Sequence, residues 1–220
     1  MANIKIIKKN LLSILEEVKR ETPIIIFKKF FNRTDCKKII RLCDNNFKIN
    51  LNRKYHPNKY FNFTSVDVLP TNSKTKRIIR TFELSNHTVK KFKSIKKIQL
   101  LQKKIVKLKK NLKIYKKVQV IHYPTGGGFL AEHVHPRYPT NYGFIITLSK
   151  KNKDFKKGVT NFRLNQKLIS LEKFDLTSGD LILFRFDLPH SISPCDPKEI
   201  LKFDQKGRWT LVFPIYHKKF

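Results

Sequence analysis

Between residues 118 and 216 the chain carries seven short segments that suit strands and are too brief for packed helices: 118–123, 129–135, 142–148, 158–164, 167–171, 180–186 and 209–216. Each is rich in Val, Ile, Leu, Phe and Tyr, side chains that fit a pleated surface. The intervals hold Pro, Gly, Asn and Lys, which break or turn a chain. Strands at such regular spacing predict a barrel or sandwich. Helical patterns come first and strands after, so the expected fold class is α+β, a β-barrel or sandwich buttressed by helices on one side.

The upstream half supplies those helices. Over 7–20, Leu11, Leu12, Ile14, Leu15 and Val18 form one apolar stripe, with Lys and Glu opposite. A short strand follows at Ile24–Phe27, and Asn32 to Asp35 offers capping side chains to a helix that turns Ile39, Ile40 and Cys43 inward. Residues 48–75 read as loop with short strands. Over 92–116, Ile95, Ile98, Leu101, Ile105, Leu108, Leu112 and Tyr115 recur at threes and fours, which predicts one long lysine-rich helix. It is expected to lie across the back of a sheet; a dimerising coiled coil or an RNA-contacting face are the alternatives.

A chain of 220 residues fits a single domain, with 1–117 as support and 118–216 as the β core. Its 40% hydrophobic content and 18 Phe residues exclude a disordered protein. No apolar run approaches the ~18 residues that span a bilayer, and the early run at 23–27 is too short for the core of a signal peptide. Cys36, Cys43 and Cys195 have neither metal-knuckle nor disulfide-framework spacing and read as buried free thiols, so a cytoplasmic location is expected. The formal charge of +32 invites a nucleic-acid reading, because lysines that neutralise phosphates release counterions. The surplus is mostly Lys, spread along the chain with abundant Ile, Asn and Phe, as codon bias alone produces. Nucleic acid is therefore a secondary expectation, although the charge would still attract an anionic substrate.

The sharpest chemical feature is His133-Val134-His135. Residues two apart on a strand share a face, so both imidazoles reach one ion, and His190, at the end of segment 180–186, is the candidate third ligand. Neutral imidazole suits Fe(II), Zn, Ni or Cu, and three protein ligands leave positions open for chemistry. His56, His87 and His217 have no partner pattern and read as surface. His122 should point away from Tyr123. The Gly126–Gly128 run lacks the Lys-Ser/Thr of a phosphate loop and reads as a turn that brings backbone close to the metal pocket.

Further residues follow in an ordered series: Tyr123-Pro-Thr-Gly-Gly-Gly-Phe-Leu-Ala-Glu-His133-Val-His135, then Tyr142-Gly-Phe-Ile-Ile-Thr-Leu148, Gly158-Val-Thr-Asn-Phe162, Gly179-Asp-Leu-Ile-Leu-Phe184, His190 and Gly207-Arg208-Trp209-Thr210. This series resembles the 2-oxoglutarate/Fe(II)-dependent dioxygenases, in particular their prolyl-hydroxylase-like and phytanoyl-hydroxylase-like members. The resemblance implies a double-stranded β-helix (a jelly-roll or cupin-like barrel), Fe(II) on His133, His135 and His190, and 2-oxoglutarate as co-substrate. It also implies that O₂ and 2-oxoglutarate are consumed, with succinate and CO₂ released, as a small-molecule or peptide substrate is hydroxylated. Arg208 would bind the distal carboxylate of 2-oxoglutarate, with Thr210 beside it and Tyr123 contributing a hydroxyl. Asp187 is a candidate orienter of a ligand imidazole, and Arg137 a candidate contact for an acidic group on the substrate.

The chain departs from the family pattern in two places. His135 stands where the family carries an acidic ligand, so the ion would keep its full charge and favour an anionic chelator. Glu132 should point away on a regular strand, although a bulge would bring it inward. The interval from His190 to Arg208 is long, and 194–206 reads as an inserted loop. A three-histidine cupin-type dioxygenase that needs no keto acid, and a non-catalytic basic nucleic-acid-binding protein, are the rival readings. Because ligating histidines must be neutral, metal affinity is expected to fall below about pH 6.

Overall fold

The computed structural model describes residues 4–8, 10–46, 58–68, 76–108, 112–114, 117–135 and 142–217. In chain order its elements are β1 (Ile4–Ile7), α1 (Leu11–Lys19), β2 (Ile24–Phe27), α2 (Arg33–Asn45), β3 (Phe61–Val68), β4 (Arg77–Leu84), α3 (Asn86–Lys90), α4 (Lys93–Leu108), β5 (Leu112–Ile114) and β6 (Gln119–Tyr123). They continue with β7 (Gly128–His133), β8 (Tyr142–Thr147), β9 (Thr160–Leu164), β10 (Lys167–Ser170), β11 (Leu181–Arg185), β12 (His190–Cys195) and β13 (Arg208–His217).

The helices begin where side chains replace missing backbone partners. Asn10 accepts the Leu12 amide at 2.9 Å and Asn32 accepts the Thr34 amide at 2.7 Å, capping α1 and α2. Ile14 and Val18 of α1, Cys36, Ile39 and Cys43 of α2, and Ile95, Ile98, Leu101 and Ile105 of α4 are fully buried. Together with Phe61, Phe82, Trp209, Leu211 and Phe213 of the sheet they form one core. Truncating any of the large aliphatic members to Ala should cost about 2–5 kcal/mol.

The strands hydrogen-bond along the path β1-β2-β11-β8-β13-β6-β4-β7-β12-β9-β10, with β3 on β4 and β5 on β13. Among the described strands, β1 and β2 pair in parallel and the other pairs are antiparallel. Phe162 of β9 meets Phe184 of β11 at 5.0 Å between ring centroids, although the two strands are far apart along the path. The sheet has therefore curled over on itself and encloses a second core of Ile24, Ile26, Ile145, Phe162, Ile182, Phe184, Phe186 and neighbours. In β2, Ile25 and Phe27 enter the helix-side core while Ile24 and Ile26 enter the barrel. β11 does the same with Leu181 and Leu183 against Ile182 and Phe184. Burial on both faces explains why these segments are apolar without alternation. The architecture is the expected double-stranded β-helix with helices on one side.

Several local expectations need correction. The helix expected over 92–116 ends at Leu108, and Leu112 lies in β5, paired with β13; Tyr115 lies outside the described residues. β3 falls in the stretch expected to hold short strands, whereas β4 was not expected, although it pairs with β3 and bridges β6 and β7. β4 was hidden by Arg80, a buried cation in the middle of the strand. His190 opens its own strand, β12, and does not end the previous one. That strand takes up part of the loop expected over 194–206.

Candidate metal centre

The register of β7 and β12 builds the site. His133 and His190 are direct partners across this antiparallel pair, and His135 lies two residues beyond the end of β7. Ligand atoms of the three histidines all lie within 4.8 Å of one another. Ring centroids are 4.2 Å apart for His133 and His190, and 5.2 Å apart from His135 to each of the others. The pair alternation read in the sequence thus holds, and the third imidazole arrives from a separate strand.

Two backbone carbonyls orient the rings. His133 Nδ1 lies 3.0 Å from the Ala131 carbonyl, and His190 Nδ1 lies 3.0 Å from the Leu188 carbonyl. A carbonyl only accepts, so each Nδ1 must carry the proton and each Nε2 keeps its lone pair for an ion. Asp187 does not take this part: its carboxylate is held by the Arg185 guanidinium, with Nε at 2.9 Å. Phe186 packs on His135 at 4.3 Å and Phe184 on His190 at 4.8 Å, which restricts both rings.

Burial keeps the group neutral. It pushes His190 down to about 3 and His135 down to about 4, with His133 nearby adding to both shifts. His133 is lowered for the same reason, with the Arg77 charge contributing. Imidazoles lowered in this way stay unprotonated below the pH 6 expected from unperturbed histidines. Among the described residues no carboxylate joins the cluster: Glu132 points outward and accepts Arg163 Nε at 3.0 and 3.2 Å.

Arg208 and Tyr123 are direct partners between β13 and β6, and Thr210 follows on the same face as Arg208. Arg208 is 4% exposed; it donates to the Gly158 carbonyl at 2.9 Å and to the Thr160 hydroxyl. Among the described residues no carboxylate pairs with it, and its Nε has no hydrogen-bond partner; nor does Thr210 Oγ1. Tyr123 is pushed up to about 12 by burial, against the pull of the Arg208 charge and the adjacent Thr210 hydroxyl. A buried, unpaired guanidinium beside an orphaned hydroxyl is what an anionic ligand would complete. Tyr123 and the three histidines line one cavity of about 140 Å³, with Leu130, Phe184, Phe186 and Ile192 among its walls, while Arg208 lines a separate concavity with Gly158 and Thr160. Engineered cavities of ~150 Å³ take up benzene-sized molecules.

Other candidates fall elsewhere. His122 is fully buried on the helix side, stacked on Trp209 at 4.0 Å. It accepts from Arg80 Nε at 2.9 Å and bonds the Lys206 carbonyl at 2.7 Å, so it belongs to a structural network. The Gly126–Gly128 turn does not approach the metal pocket. Its amides meet the Asp196 and Cys195 carbonyls, and a Cβ on Gly126 would lie 2.2 Å from the Leu201 nitrogen. Arg137 lies outside the described residues. Cys36, Cys43 and Cys195 are buried free thiols, as expected. The Gly158 carbonyl and Thr160, which hold Arg208, were not singled out from the sequence; Thr160 could have been found because it shares a strand face with Phe162, a barrel residue.

No helix among the described residues is long and apolar enough to cross a membrane. No protein-family model and no curated protein sequence matches the chain. Solved structures do match. A prolyl-4-hydroxylase from Pseudomonas putida aligns with a TM-score of 0.60 at 12% identity, over 96% of this chain and 100% of its own. A 2OG-Fe(II) oxygenase family oxidoreductase from Burkholderia pseudomallei gives 0.56 at 12% identity, over 95% and 94%. A prolyl hydroxylase from Trichoplax adhaerens, solved with a peptide fragment of the hypoxia inducible factor oxygen degradation domain, gives 0.58 at 13% identity, over 94% and 89%. The chain thus has the double-stranded β-helix fold of prolyl hydroxylases and 2OG-Fe(II) oxygenases.

Proposed function

We propose that this chain is a non-haem Fe(II) oxygenase that consumes 2-oxoglutarate, with the ion on His133, His135 and His190 and the distal carboxylate of 2-oxoglutarate on Arg208. The carrying observation is the histidine group, three imidazoles with ligand atoms within 4.8 Å of one another; a buried guanidinium with no carboxylate of its own among the described residues supports the co-substrate assignment. When bound, iron and 2-oxoglutarate would use O₂ as the oxidant, one oxygen atom going to succinate as CO₂ is lost and the other to a substrate carbon as a hydroxyl.

The chain's own residues do the rest. The Ala131 and Leu188 carbonyls fix the imidazole tautomers, and burial keeps all three bases unprotonated. Arg208 offers a fork to a carboxylate, with Thr210 and Tyr123 as hydroxyl neighbours. The Phe184 and Phe186 rings exclude water around the ion and select an apolar portion of the substrate. A peptide or small molecule is the substrate class, and Arg137 is a candidate contact for an acidic group on it. We read residues 1–220 as one oxygenase domain acting in the cytoplasm.

A keto-acid-free dioxygenase is the second reading, favoured because no carboxylate among the described residues joins the histidine group. Anaerobic addition of 2-oxoglutarate to Fe(II)-loaded protein separates the two. A visible charge-transfer band that Arg208→Ala abolishes, followed by succinate release on adding O₂, supports the first reading. Iron binding without such a band supports the second.

A further inference from the structure

Outside the barrel, the exposed face of α2 meets the 150–154 and 205–206 segments around a concavity of about 540 Å³. Arg33, Lys37 and Arg41 enter it from the helix, Lys150 and Lys153 from the first segment and Lys206 from the second. Six of its eleven lining residues are cationic and one is a carboxylate, drawn together from three chain segments around a single concavity.

The arrangement also works against the isolated fold. Arg33, Lys37 and Arg41 are spaced four apart and stack on one face of α2, where like charges repel and oppose the helix. All six cations are exposed, and among the described residues none forms an ion pair. The one carboxylate in the lining, Asp154, accepts the Lys150 amide at 2.7 Å. Ile40 and Leu148 make an apolar floor between the charged tips.

We propose that this concavity is a second ligand site, separate from the metal centre, that takes an anion carrying several phosphates. A single carboxylate would engage one or two of these cations, whereas phosphates in series reach cations on three chain segments. The mix of forked guanidiniums and point-like ammonium groups suits phosphate oxygens. The phosphates belong either to a free nucleotide or to the backbone of an RNA strand. The proposal does not depend on the oxidative chemistry.

The test is fluorescence anisotropy with the full chain and a labelled oligouridylate of about 12 nucleotides, within the range a single-strand site covers. Arg33, Lys37 and Arg41 are changed together to Glu, and in parallel Lys96, Lys103 and Lys104 of α4, which alters net charge equally. A second cleft variant, Lys150, Lys153 and Lys206 to Glu, guards against misfolding of α2. At ~0.15 M salt both cleft variants should weaken binding at least about tenfold, and the α4 variant less than about twofold. Loss of three phosphate contacts should reduce the slope of log affinity on log salt by about 2. Displacement by UTP at comparable concentration assigns a free nucleotide, and displacement only by unlabelled oligomer assigns a strand; either supports the proposal. Equal weakening by the α4 variant, or no saturable binding of oligomer or UTP to the wild type, overturns it.

Discussion

Replacing Arg208 by Met removes the charge while keeping a side chain of similar reach in a site that is 4% exposed. The guanidinium spends donors on the Gly158 carbonyl and Thr160, and its Nε is unpaired. Charge-assisted hydrogen bonds contribute about 1.5–3 kcal/mol each, so losing two at the co-substrate carboxylate costs about 3–6 kcal/mol. At 1.4 kcal/mol per factor of ten, 2-oxoglutarate affinity should fall by about 10²–10⁴-fold. Isothermal titration of Co(II)-loaded protein measures this directly. Thermal unfolding gives a second readout, because a ligand at a hundred times its Kd stabilises wild type by about 2.7 kcal/mol, roughly 5–11 °C for a chain of this size. The variant should show no such rise at the same concentration. Leaving the Gly158 carbonyl and Thr160 hydroxyl unsatisfied costs about 1–3 kcal/mol each, partly offset by removing a buried unpaired charge, so the variant should still fold. Binding of 2-oxoglutarate to Arg208→Met within about threefold of wild type would refute the assignment.

Three other perturbations probe the same site. His135→Asp places a carboxylate beside the ion, where a unit charge at ~4 Å and an effective dielectric of 20 amounts to at most about 4 kcal/mol. It should raise metal affinity without co-substrate by tenfold or more, and weaken the enhancement of metal binding by 2-oxoglutarate; an unchanged enhancement contradicts the charge argument. With His135 held near 4 and His190 near 3, Co(II) affinity should stay level between about pH 7 and 5. Unfolded imidazoles protonate near pH 6.5, so the stability contributed by these depressed groups is full above that value and is lost as pH falls toward 4. A tenfold loss of affinity per pH unit beginning at ~6.5 goes against it. Finally, His122→Phe removes the acceptor for Arg80 Nε and should cost about 1–3 kcal/mol in a denaturation curve while leaving metal stoichiometry unchanged. Loss of metal from the folded variant would count against a purely structural role.

The barrel strands and the grouping of His133 with His135 were legible because each rests on a short-range rule. His133 and His135 share a face through strand alternation, and most of the β segments after residue 118 lie within a residue or two of their expected bounds. What the sequence concealed depended on partners distant in the chain. β4 carries Arg80, tolerated there because His122, Asp44 and the Asp204 carbonyl surround it. The end of α4 was obscured because Leu112 continues the apolar seam in phase while pairing with β13. His190 was placed one element too early because β12 contains Ser and Pro and lacks a strong strand composition. Asp187 looked like an orienting group by proximity, yet Arg185 claims its carboxylate and backbone carbonyls orient the imidazoles instead.

X-ray absorption on the Fe(II)-loaded, co-substrate-free protein tests the central assignment most directly. One ion per chain with three imidazole nitrogens, lost in folded His190→Ala, is the outcome required by three ligand atoms within 4.8 Å. An ion bound with one imidazole or none, or retained unchanged in that variant, would place the metal elsewhere and remove the basis for oxygenase chemistry at this site.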